Sequence, residues 1–292
     1  MRAVRIRGAV GVAVLSLLLA GCSAGNAAAP SASASPVTLR FGVPPDEADP
    51  ASSEHMRPVA DQIAKATGTT VELLRTSDYL TIIAALRAKK LDIAIIGPMP
   101  TVIAERDGGV EPLVTVQGAP VRATIICSPR SGVRTLAQIK GHSIAFVDPG
   151  STSGNYIPRL LLERAGVDVA SLKVTYAGGH DAAVLSVKQG STDCAANSSL
   201  LLPLMVKSHT ISTSDYRIIA QSDPLPINSV VLARSGLSSA LKTKIADVLL
   251  STQSPALLAN NHATKIVSAA DTDWSTFQAA ARELNLLLEK LQ

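Results

Sequence analysis

Ser151, Thr152 and Ser153 stand in succession between Gly150 and Gly154, directly after the apolar run Ile144-Ala145-Phe146-Val147 and the dipeptide Asp148-Pro149. A helical pattern follows from about Tyr156, so three hydroxyls sit at a helix start. That arrangement is an anion trap. The first N–H groups of a helix have no intrahelical partner and carry a partial positive charge, and hydroxyls converge with them here without bulky side chains in the way. Gly150 and Gly154 let the backbone come close to a ligand. A helix cap uses one hydroxyl, so three in a row point beyond capping.

Two further side chains have matching chemistry. Tyr79 follows the capping pair Ser77-Asp78 at the head of a helical pattern, and its phenol can donate to an anion. Taken alone it reads equally as a packing residue with a hydrated hydroxyl. His180, in Gly179-His180-Asp181, opens another helix. It reads as a capping surface residue or as a protonated imidazole that neutralises part of a dianion, the bound charge raising its pKa. His55, His142, His209 and His262 have no partner pattern and read as surface or structural.

Other chemistries fit less well. Gly150-Ser151-Thr152-Ser153-Gly154 approximates a G-x-S-x-G nucleophile elbow, but Thr152 occupies the nucleophile position and Asp148-Pro149 lengthens the turn, which argues against a hydrolase. No Lys follows the last Gly, so this is not a P-loop. Cys127 and Cys194 lack a second Cys or a His at ligand spacing, so neither a metal nor any cofactor is expected. Both lie at the ends of apolar strand-like segments and are expected as buried thiols; a disulfide would require those strands to lie side by side.

Strand and helix signals alternate along the chain. Strands are predicted at Thr38 to Gly42, Val71 to Leu74, Ile93 to Ile96 and Leu113 to Gln117, with helices at Glu54 to Thr67, Leu80 to Leu86 and Pro100 to Arg106. After Gly118-Ala119-Pro120, strands follow at Ala123 to Cys127, from Ser143, at Val174 to Tyr176, Thr192 to Ala196, Tyr216 to Gln221 and Ser229 to Ala233, with helices between several of them. From Ser238 the chain reads as mostly helical. The alternation predicts an α/β fold with mostly parallel sheets, whose ligands gather at the C-terminal ends of strands.

At the N-terminus Arg2, Arg5 and Arg7 precede an apolar run from Ala9 to Ala20 that ends in Leu19-Ala20-Gly21-Cys22. The run is shorter than the roughly 20 residues of a membrane span and reads as a lipoprotein signal peptide over residues 1–21, with Cys22 as the lipidated first residue of the mature chain. Residues 22–36 are Ala, Ser, Gly, Asn and Pro after the Cys and read as a flexible tether. The whole chain has 27 Lys and Arg against 23 Asp and Glu, and three of the basic residues belong to the leader. The mature protein is therefore near neutral, with no basic patch to argue for nucleic acid.

Leu39-Arg40-Phe41-Gly42-Val43, Ser77-Asp78-Tyr79, Leu91-Asp92-Ile93-Ala94, Gly97-Pro98, Asp148 to Gly154, and Gly179-His180-Asp181-Ala182-Ala183-Val184 with Asp193 occur in this order behind a lipoprotein leader. In this the chain resembles the phosphate, phosphite and phosphonate substrate-binding proteins of ABC importers. The resemblance implies a type II periplasmic-binding fold of two α/β lobes that close on a ligand about a hinge. Lobe one is expected over residues 37–117, lobe two over 118–236, and helices of 237–292 are expected mainly on lobe one. It also implies a small oxyanion held by Tyr79, Ser151, Thr152, Ser153 and His180 and an ABC permease with its ATPase as partner, while the leader implies a lipid anchor through Cys22 on the outer, extracytoplasmic face of a membrane. The chain departs from the family's pattern at Met99-Pro100-Thr101, where many relatives have a pocket Tyr, and at Asn228, where an acidic residue is expected. Met99, Thr101 and Asn228 are thus candidate selectivity positions, and Asn228 disfavours an aminoalkyl phosphonate. A sulfonate or other small organic solute in the same fold, or a sensor in place of a permease, are the alternatives.

Overall fold

Short, fully buried apolar runs such as Ile93–Ile96 and Ala123–Cys127 have no solvent face and must lie inside sheets covered on both sides. The computed structural model of the chain describes residues 37–44, 52–106, 108–118 and 121–285, so the leader, the tether and Cys22 lie outside the described residues.

The first half builds β1 (Thr38–Val43), α1 (Arg57–Thr67), β2 (Thr70–Arg75), α2 (Tyr79–Arg87), β3 (Ile93–Ile96), α3 (Pro98–Arg106) and β4 (Val110–Gln117). The chain then builds β5 (Ala123–Cys127), β6 (Ser143–Phe146), α4 (Ile157–Arg164), β7 (Lys173–Tyr176), α5 (His180–Gln189), β8 (Cys194–Ser198), α6 (Leu201–Lys207) and β9 (Arg217–Gln221). It ends with β10 (Ser229–Arg234), α7 (Ser239–Thr252), α8 (Pro255–Asn260), β11 (Lys265–Ser268) and α9 (Ser275–Glu283). Among the described residues no helix is long and apolar enough to cross a membrane.

Two sheets result, with strand orders β11-β4-β10-β3-β1-β2 and β7-β6-β8-β5-β9, each the centre of one lobe. The chain crosses between them after β4 and returns after β9. That return corrects the sequence reading twice. β10, grouped there with residues 118–236, inserts between β3 and β4 of the first sheet, with Val230 opposite Ile96 and Thr115. It enters from the far lobe and so runs antiparallel to both neighbours. β11 is antiparallel to β4, and β5 to both β8 and β9, so the sheets are mixed and not mostly parallel. A buried apolar run such as Ser229–Arg234 carries no mark of its direction or its sheet.

Separate cores fill the lobes. Leu39, Phe41, Ile63, Val114, Ile245 and Leu249 pack in the first, where α7 covers the sheet beside α1. Ile125, Ile144, Phe146 and Leu162 pack in the second. The C-terminal helices divide: α9 packs Phe277, Ala280 and Ala281 against Met99 and Ile103 of one lobe and Tyr156 and Leu160 of the other. Arg164 and Glu283 add an ion pair at 2.7 Å on its exposed side.

The expected thiols are instead a disulfide. Cys127 and Cys194 face each other across β5 and β8, their Cα atoms 3.9 Å apart, and are bonded. The antiparallel pairing that brings them side by side links strands separated by most of the second lobe's sequence, which spacing does not reveal.

Candidate functional site

The turn after β6 is held from within. Asp148 Oδ1 accepts from Gly150 N at 2.7 Å, Asn155 Nδ2 donates to the Pro149 carbonyl at 2.6 Å, and Ser151 Oγ accepts from Gly154 N at 3.1 Å. Ser151 is thus a helix cap, as the plainer reading has it. Its hydroxyl proton is not spent by that bond and remains available to an anion. Residues Thr152–Tyr156 form a wide π-type turn that leads into α4.

The first lobe closes directly onto this turn. Met99 N, in the first turn of α3, donates to Thr152 Oγ1 at 3.1 Å, and Tyr79 N, the first residue of α2, donates to Asp148 Oδ2 at 3.5 Å. Two glycines permit the approach. A Cβ on Gly97 would lie 2.5 Å from Thr152 Oγ1, and one on Gly150 would lie 2.7 Å from Tyr79 Cβ. Burial, joined by the charge of Asp78, pushes the Asp148 carboxyl above the usual carboxylate range, against the pull of its two backbone donors.

A cavity of about 490 Å³ lies between the lobes in front of the turn. Tyr79, Ser151, Thr152, Ser153 and His180 all line it, so the five expected ligand residues converge. Asp78 caps α2 through Thr81 N at 2.6 Å and thereby sets the position of Tyr79.

His180 carries a different charge from the one expected. Its Nδ1 accepts from Ser198 N, at the end of β8, at 3.1 Å. A nitrogen that accepts a backbone N–H bears no proton, so the ring is the neutral Nε2–H tautomer. Burial with no acidic partner pushes its pKa down to about 4. The protonated imidazole of the sequence reading is thereby corrected: this histidine is a neutral donor whose open side is the cavity it lines.

Of the three selectivity candidates only Asn228 reaches the cavity. Met99 is fully buried among Val102, Tyr156 and Phe277, and Thr101 is fully buried with its hydroxyl donating to the Gly97 carbonyl at 2.9 Å. Helix α3 begins at Pro98 and turns both side chains inward, which the loop-like Gly-Pro pair conceals. Asn228 donates through Nδ2 to the Asn261 carbonyl at 3.1 Å, and its buried Oδ1 has no hydrogen-bond partner.

The sequence reading missed several lining residues. Leu200, Leu201 and Leu204 line the cavity on the second-lobe side, and His55, Met56, Asn260, Asn261 and His262 on the first-lobe side. His55 and His262 are therefore cavity-rim residues and not merely surface ones. The strand-then-helix pattern around Ser198 could have flagged the leucines, since ligands gather where strands end. Nothing local marks Asn260 to His262, which depend on the return of the C-terminal segment.

Residues 41–274 match the family described as ABC transporter, phosphonate, periplasmic substrate-binding protein. Over 254 residues the chain is 27% identical to the phosphate-import protein PhnD of Mycolicibacterium smegmatis, covering 81% of this chain and 79% of that one. It is 26% identical over 221 residues to the phosphonates-binding periplasmic protein of Escherichia coli, covering 73% and 65% respectively. Among solved structures it resembles PhnD1 of Prochlorococcus marinus in complex with methylphosphonate, with a TM-score of 0.72 at 18% identity, over 86% of this chain and 99% of that one.

Proposed function

The chain belongs to the family of periplasmic substrate-binding proteins of phosphonate ABC transporters, and from that premise we propose that it captures a small phosphorus oxyanion between its lobes and delivers it to its permease. Members of this family bind substrate for import and are not enzymes. The ligand is a phosphonate, phosphite or phosphate. Ser151, Thr152 and Ser153 with the N–H groups of their turn hold its oxygens from one lobe, His180 donates through Nε2, and Tyr79 donates from the other. Asn228 helps select among ligands.

The observation that carries this reading is the convergence of Tyr79 with the Ser151–Ser153 turn and His180 around one cavity, from separate lobes. A ligand touching both lobes binds fully only in the closed form, so binding shifts the population toward the shape a permease recognises. The leader ending in Leu19-Ala20-Gly21-Cys22 supports a lipid on Cys22 that tethers the folded body at the outer membrane face.

Isothermal titration of the protein beginning after Cys22 tests the reading, with phosphate, phosphite, methylphosphonate, 2-aminoethylphosphonate and a sulfonate as ligands. One-to-one binding of a phosphorus oxyanion, lost in His180→Ala, is the expected result. Preference for the sulfonate, or silence across the panel, would overturn the ligand assignment.

A further inference from the structure

The cavity is larger than an inorganic oxyanion needs. It measures about 490 Å³, within the range of pockets that enclose organic ligands. A PO3 head takes up roughly the space of three waters at about 30 Å³ each. The lobes already meet at the turn, through Met99 N on Thr152 Oγ1 at 3.1 Å and Tyr79 N on Asp148 Oδ2 at 3.5 Å, so this space persists with the lobes in contact.

Beside the polar end the wall is leucine. Strand β8 ends at Ser198, whose N–H bonds His180 Nδ1, and two residues further on the chain begins to present Leu200, Leu201 and Leu204 to the cavity. Positions three and four apart share a face of a helix, so Leu204 on α6 stands beside both other leucines. Leu202 and Met205 of the same helix pack into the lobe core. Leu200 and Leu201 are half-buried, whereas Leu204 is 44% exposed. Val37, Tyr176 and Ile218 are the other large apolar side chains so exposed among the described residues, and none of them lines the cavity. A helix whose packing face is already covered ordinarily carries polar residues on its other side, and apolar area gathered in a cleft marks a binding surface. From the first lobe Val43, Pro44 and Met56 line the same cavity. Among the described residues no Lys or Arg lines it, and its one lining carboxylate, Asp181, sits in the first turn of α5, where the helix start balances its charge.

We infer that the phosphorus oxyanion captured here carries an apolar alkyl or aryl tail, which lies along Leu200, Leu201 and Leu204 while the head is held by the Ser151–Ser153 turn, Tyr79 and His180. This rests on the functional reading above and narrows it to organophosphonates with an apolar substituent. Leu204 is then a specificity-determining residue: it adds affinity in proportion to the tail and none to the head.

Calorimetric titration with methyl-, n-propyl- and n-butylphosphonate, 2-aminoethylphosphonate and inorganic phosphate tests this. Affinity is expected to rise by up to about fourfold per added methylene, with phosphate the weakest ligand. n-Propylphosphonate, which matches 2-aminoethylphosphonate in heavy atoms, is expected to bind the tighter of the two. Leu204→Ala is expected to weaken n-butylphosphonate by about threefold or more while methylphosphonate affinity and the melting temperature stay unchanged. Ile218→Ala, as exposed but outside the cavity, is expected to change neither affinity. Affinity that is level or falls from methyl to n-butyl, tighter binding of the aminoethyl ligand, or a Leu204→Ala effect that is the same for both alkyl ligands, nil included, would overturn the inference and leave the functional reading standing. No binding of phosphate or of any phosphonate would overturn both.

Discussion

Gly97→Ala tests the closed arrangement. Gly97 follows β3, and a Cβ there would lie 2.5 Å from Thr152 Oγ1 and 3.3 Å from Thr152 Cβ, atoms of the facing lobe. Thr152 has little freedom to yield, because it is buried and its Oγ1 accepts the Met99 N–H at 3.1 Å. With the lobes apart the new methyl touches neither atom, so it penalises the closed form alone. One methyl too many in a packed interior costs about 1 to 3 kcal/mol. On the proposed reading ligand binds fully only to the closed form, so that cost passes into the dissociation constant as a weakening of about five- to 150-fold. Calorimetric titration of methylphosphonate measures it, with thermal melting of the unliganded protein as the control. The expected outcome is weaker binding in that range while the unliganded melting temperature moves by no more than about 4 °C. Unchanged affinity in a folded variant would refute the argument, since the Gly97–Thr152 contact would then be absent from the bound state. A large loss of unliganded stability would refute it differently, locating the strain within one lobe.

Tyr79→Phe removes a donor to a charged ligand and is expected to weaken binding by about 1.5 to 3 kcal/mol, whereas Ser153→Ala costs less because the N–H groups of the turn remain; equal affinities by titration for both variants and the parent would discredit the pocket assignment. His180 is held neutral with its pKa pushed down to about 4, below its unfolded value of about 6.5. The unfolded chain therefore gains a proton first as pH falls. Up to about 3 kcal/mol of stability is lost between the two values, a loss that urea denaturation of the unliganded protein should detect and that His180→Asn should largely remove. Cys127 and Cys194 are joined across a sequence separation of 67, so the Cys127→Ala/Cys194→Ala double variant is expected to lose up to about 4 kcal/mol in the loop-closure view. Identical denaturation midpoints for parent and variant would show that the bond constrains little in the unfolded chain.

What could be read before folding follows from how local its cause is. The Ser151–Ser153 turn, the cap at Asp78 and the helix head at His180 are each contained within a few consecutive residues, and all lie where their types and neighbours indicate. The alternation of strand and helix signals likewise indicated the α/β class, and the family resemblance implied the two lobes. What stayed hidden depends on chain return. β10 entering the first sheet, Cys127 meeting Cys194, and Asn261 accepting from Asn228 each join segments brought together only by the crossings between sheets.

The charge of His180 shows why that hidden part matters to function. Its residue type and position suggested a cation for a dianion, and only the bond from Ser198 N, supplied by the end of a strand 18 residues away, fixes the neutral tautomer. In the proposed site a neutral imidazole, three hydroxyls and a helix start are the donors offered to the ligand. On that reading binding draws on geometry, since the close approaches of Gly97 to Thr152 and of Gly150 to Tyr79 bring the proposed donors of the two lobes to one cavity. On the proposed reading recognition and lobe closure are the same event, and a substitution that spoils the interlobe fit should weaken binding even where it touches no ligand atom.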